Sequence, residues 1–104
     1  MSPAANALRG ECDIVIAGQP HLLRPSFESL VLAEAELGSL FALVERASQG
    51  GLTLSEIAAL LWHCLPADTR PDRGSVGQAV LAMGLVNATR PVRAILAQVL
   101  QGQM

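Results

Sequence analysis

Four side chains carry whatever metal or nucleophile chemistry this sequence can offer: Cys12, His21, His63 and Cys64. Zinc sites usually present close pairs such as C-x-x-C or H-x3-H. His63 and Cys64 are adjacent instead, so on a helix they point about 100° apart and are poorly placed to share one ion. Cys12 and Cys64 each fall on an apolar stripe, where cysteine behaves as a small buried hydrophobe. A nucleophilic cysteine needs a histidine partner in space, and nothing in the spacing requires one; His21, on a hairpin edge, reads as a solvent-facing strand residue. Glu28, Glu34, Glu36, Glu45 and Glu56 stand in helix first turns and on exposed faces, and Glu34 with Glu36 reads as a solvated face. The glycines mark turns and helix ends and form no phosphate loop or dinucleotide fingerprint. The sequence predicts no enzyme, no metal site and no cofactor.

The elements that must position these residues are bounded by composition. The chain has 104 residues, 51% of them hydrophobic, with one Trp, two Phe and no Tyr, so its core must be aliphatic. That length fits one domain with a thin core. All seven basic residues are Arg and the formal net charge is −2, which gives no strong pull toward nucleic acid or an anionic membrane. The longest apolar run, Ile57 to Trp62, is far short of a bilayer span. Two distant cysteines and an N-terminus unlike a signal peptide predict a cytoplasmic protein with reduced thiols.

The predicted fold class is α+β, mainly α: an N-terminal β-hairpin followed by about five short helices in a compact bundle. Residues 1–9 read as a flexible tail and 10–104 as a single domain. Cys12, Ile14 and Ile16 alternate with Glu11, Asp13 and Val15, which predicts a hairpin over 11–24. Gly18-Gln19 suits a type II′ turn, and Pro20 implies an edge strand. Ser26 caps a helix over 26–37 that Gly38 stops; Ser39 opens the next, 39–48. Thr53-Leu54-Ser55-Glu56 is a capping box for 53–65. Pro66 to Gly74 reads as the longest loop. Ser75-Val76-Gly77-Gln78 is a second capping box for 75–85. The last helix runs over 88–101, with Pro91 tolerated in its first turn.

A helix-turn-helix DNA-binding regulator is one reading of Thr53 to Met83. The loop between its helices exceeds the usual turn of about 3–4 residues, and Ser75 to Met83 offers only Ser75 and Gln78 to base edges. Surplus apolar surface is the stronger signal. On the 53–65 helix, Ala59, Leu60 and Trp62 lie off the stripe of Leu54, Ile57, Leu61 and Leu65. Such a helix is either fully buried or used for binding. The binding alternative makes Ala59, Leu60 and Trp62 the lining of a groove for a partner's apolar helix, or for a second copy; the other packs Trp62 beneath the hairpin or the last helix.

Leu23 to Leu43 and the string ending in Ala58-Ala59-Leu60-Leu61-Trp62 resemble one family. It is the small protein encoded beside the tail tube and tape-measure genes of gene transfer agents and prophages, labelled both a tail tube protein and a tail assembly chaperone. The likeness runs from about Gly10 to Leu100 and rests on Arg24, Pro25, Ser26, Phe27, Gly38 and Trp62. Pro66 to Gly74 has no counterpart. The resemblance implies a role in tail morphogenesis, with the tape-measure protein or the tail tube subunit as partner and no catalytic residues. It leaves two roles open: an assembly chaperone, or a permanent structural component of the tail. Tail tube subunits are built on a large polymerising β-sheet, which one hairpin and five helices do not supply.

Overall fold

The alternation after Glu11 becomes strand β1, Cys12–Ile16, in the computed structural model, which describes residues 12–101. The proposed tail over 1–9 and the start of the hairpin at Glu11 lie outside the described residues. β1 pairs antiparallel with β2, Gln19–Leu23, in the register Ile14↔His21 and Ile16↔Gln19. Ile14, Ile16 and Leu23 turn inward while Asp13 and Val15 face out, as a half-buried strand requires. The turn differs from expectation by one residue. Its central pair is Ala17-Gly18, not Gly18-Gln19, and both residues have positive φ, 52° and 79°. That is the φ signature of a type I′ turn, whose twist matches the flanking strands.

Among the described residues, five helices follow. Helix α1, Phe27–Leu37, begins where the Ser26 hydroxyl accepts from the Ser29 amide at 3.1 Å, and it ends at Gly38, with φ 87°. Helix α2, Leu40–Ser48, is capped by Ser39. Helix α3, Leu54–His63, carries the full Thr53/Glu56 capping box: the Glu56 amide donates to Thr53 Oγ1 at 3.1 Å and the Thr53 amide to Glu56 Oε1 at 2.9 Å.

The last two helices start earlier than the sequence suggests. Helix α4, Arg73–Met83, is capped by Asp72, whose carboxylate accepts from the Ser75 amide at 3.3 Å. The expected Ser75/Gln78 box is therefore inside the helix. An aspartate behind a proline is as good a cap as serine, and it wins by leaving fewer residues outside. Helix α5, Leu85–Gln101, follows at once, because Gly84 (φ 87°, ψ 146°) breaks the chain in one residue and the two helix axes differ by 117°. Pro91 lies in the interior of α5, not its first turn, and removes one ladder bond there. No single described helix is long and apolar enough to cross a membrane.

Helix α3 is the centre of the domain. It packs on α1, α4 and α5, while β1 rests on α4 and α5 and α2 leans on α5. Leu60, Leu61, Leu65, Val76, Val80 and Ile95 fill the common core with Ile14 and Leu23. The Arg24 amide donates to the Cys64 carbonyl at 2.8 Å, pinning the end of the hairpin to the end of α3.

Candidate partner-binding surface

The central position of α3 decides the fate of the groove expected on it. Ala59 and Leu60 are only 2% and 1% exposed. With neighbours on three sides, α3 buries Ile57, Ala59, Leu60, Leu61 and His63, so most of its apolar surface is used in the core, the first of the two alternatives such a helix allows. Ala59 and Leu60 therefore line no surface groove.

Trp62 is half-buried and already partnered. Its Nε1 donates to the Pro71 carbonyl at 3.0 Å, the guanidinium carbons of Arg70 and Arg73 stand 4.0 and 4.4 Å from the ring centroid, and His63 meets it edge-on at 5.0 Å. The segment between α3 and α4, residues 64–72, is thus folded back onto the indole by a hydrogen bond and cation–π contacts.

Beside it lies a cluster that sequence reasoning missed. Glu36 of α1 accepts from His63 Nε2 at 2.8 Å and from Arg73 Nη1 at 2.6 Å, with a second Arg73 contact through Nη2. The carboxylate can only accept, so His63 carries its proton on Nε2. The hydrogen bonds from Arg73 and then His63 hold Glu36 well below the usual carboxylate range, near 2, and Arg73 is pushed up by the same bond. An acid so stabilised in its charged form is a poor proton donor. The group acts as a clasp joining α1, α3 and α4, elements far apart in sequence, so no local motif signals it.

The thiols are also poor reactants. Burial, then the charge of Asp13, pushes Cys12 up to about 11; burial, then Cys12, pushes Cys64 up to about 12. Among the described residues no three His, Cys, Asp or Glu side chains are placed to hold one ion.

Apolar surface does reach solvent, but elsewhere. Phe27 is 83% and Phe41 65% exposed, and Val31 and Leu32 of α1 are open as well. Phe27 and Val31 are one turn apart and form a ridge. Of the family string, Arg24 and Ser26 are engaged in structure: the Arg24 amide meets Cys64, the Ser26 amide donates to the Arg24 carbonyl at 2.9 Å, and Ser26 caps α1. Pro25 is half-buried between them and Gly38 closes α1 with its positive φ. Phe27 is the large apolar side chain of the string left open to solvent. The sequence signal was available in Phe27, Val31 and Leu32, which share α1 with Leu30, Ala33 and Leu37; only Ala33 of these is fully buried. A second apolar group, Leu81, Leu85 and Val86, surrounds the Gly84 break. Between α2 and α5 runs a groove of about 410 Å³ whose walls include Leu52, Leu85 and Val92.

Over nearly its whole length the chain matches a family of tail-related proteins of phages and gene transfer agents. The family described as "Phage tail tube protein, GTA-gp10" matches residues 9–102, and the chain belongs to that family. No curated protein and no solved structure matches the chain.

Proposed function

We propose that this protein is a non-enzymatic assembly chaperone of the tail, which holds an apolar helical segment of the tape-measure protein or the tail tube subunit in the cytoplasm and leaves as the tube forms. The observation that carries this reading is the exposure of Phe27 and Val31, one turn apart on α1, with Leu32 of the same helix also open. Together they offer on the order of 300 Å² of apolar surface on one helix, within the range of functional patches. A contact of that size, without buried ion pairs, binds modestly and releases readily. An amphipathic helix laid along such a ridge would place anchors every third or fourth residue.

The second reading is a permanent tail component, which the family description favours. Against it stands the sheet: the described strands make one two-stranded hairpin, a small platform for a polymerising tube wall. Co-expression with the neighbouring tape-measure and tube proteins tests the proposal. Capture of either one by the wild type, lost in Phe27→Ala/Phe41→Ala, supports it; no capture of either overturns it. Detection of this protein at stoichiometric level in purified particles would overturn the chaperone role in favour of the structural one.

A further inference from the structure

Residues 66–71 cross Trp62 without giving any side chain to the core. Residues 66–69 are exposed, Arg70 and Pro71 are half-buried, and none of them belongs to the hydrophobic cluster that takes in Cys64, Leu65 and Val76 on either side. Within the segment the Thr69 amide donates to the Pro66 carbonyl at 3.2 Å. Prolines at 66 and 71 restrict its backbone further, so it is one stiff piece between two fixed ends. What holds it down is polar. Trp62 Nε1 donates to the Pro71 carbonyl at 3.0 Å, and the Arg70 guanidinium carbon stands 4.0 Å from the ring centroid. At a surface each such contact is weak.

A second cation shares the ring. Arg73, the first residue of α4, brings its guanidinium carbon to 4.4 Å from the same centroid. Two guanidinium groups at one ring repel each other. Glu36 of α1 neutralises Arg73 through Nη1 at 2.6 Å and through Nη2, whereas among the described residues Arg70 takes part in no ion pair. We infer that residues 66–71 form a strap that opens and closes over Trp62 while the core stays folded, and that Glu36 of α1 is its lock. Loss of the lock sets Arg70 against Arg73 and frees the strap. Leu32, one turn ahead of Glu36 on α1, is already exposed; an open strap uncovers an indole that Arg73 ties to that same end of the helix. The strap works in the free chain, whether or not α1 holds a tail partner.

The chain has one Trp, so its indole N–H gives a single NMR signal whose exchange with solvent counts strap openings. In the wild type that proton exchanges well before the amides of Leu61, Val80 and Ile95, and low urea leaves its rate unchanged, as a local opening requires. Arg70→Ala speeds it about two- to fivefold, the worth of one exposed cation–π contact. Glu36→Gln keeps an acceptor for His63 but removes the charge facing Arg73, and speeds it about twofold or more. In the Arg70→Ala background Glu36→Gln adds little, because the repulsion it releases has lost one partner. An indole proton that exchanges only as slowly as the core amides, rises with urea as they do, or ignores Arg70→Ala overturns the strap. One that ignores Glu36→Gln, or answers it equally without Arg70, overturns the lock.

Discussion

His63 Nε2 donates to Glu36 Oε1 at 2.8 Å, joining the last residue of α3 to the final turn of α1. Arg73 closes the same carboxylate from the start of α4. His63 is buried and Glu36 is 37% exposed, so the clasp straddles the boundary of the core.

The clasp sets a pH dependence. Glu36 has its carboxylate lowered from 4.5 to about 2, so its folded state binds the proton less readily than the unfolded chain. The stabilisation is fully present above about pH 4.5 and is lost as the pH falls toward 2. Solvent screening of a group this exposed limits it to about 1 kcal/mol. In urea titrations followed by Trp62 fluorescence, Glu36→Gln is less stable than wild type by about that amount at pH 7. The gap closes steadily below pH 4.5; a gap independent of pH contradicts the assignment.

The hairpin turn holds a removable strain. Ala17 has φ 52°, where an L-residue with a Cβ loses roughly 1 kcal/mol and asparagine fares better. Ala17→Asn is expected to raise Tm by about 3–5 °C, a shift in keeping with 0.5–1 kcal/mol in a domain of this size. An unchanged or lower Tm in a thermal scan counts against the type I′ assignment.

Leu60 and Phe27 should separate stability from binding. Leu60→Ala empties a sealed core position and costs about 2–5 kcal/mol. Phe27→Ala changes stability by less than about 0.5 kcal/mol, yet weakens capture of a tail partner roughly fivefold or more. Denaturation and pull-down on both variants read this out. Equal stability losses would place Phe27 in the fold, not on the working surface.

Both thiols should resist modification in the native state. With Cys12 near 11 and Cys64 near 12, the thiolate fraction at pH 8 is about one in a thousand or less. Iodoacetamide should label the native chain far more slowly than the urea-unfolded chain, and Cys64 last. Rapid labelling of Cys64 without denaturant would contradict its burial.

Local chemistry made much of the fold readable. Ser26, Ser39 and the Thr53/Glu56 pair announce their helices because each satisfies backbone donors within three residues of itself. The errors also have local causes. Ala17 carries no turn signal, so the sequence points to Gly18-Gln19 as the turn. Asp72 hides in a proline-rich string that reads as loop. Pro91 looks like a helix start and is instead an interior residue that the buried face of α5 accommodates. The candidate surface was harder. The same apolar excess predicts a groove on Ala59 and Leu60 or their burial in the core, and only the positions of α1, α4 and α5 choose between them. Glu36, His63 and Arg73 meet through tertiary packing alone.

Helix α1 buries a single residue completely, Ala33, and packs chiefly on α3. Its amides should therefore exchange with deuterated solvent through a sub-global opening, well before those of α3. The outermost phenylalanine thus rides on a helix with a single fully buried residue, and any molecule that grips it slows exchange along α1 first. Protection of α1 becomes a label-free gauge of occupancy, usable before the identity of the occupant is known.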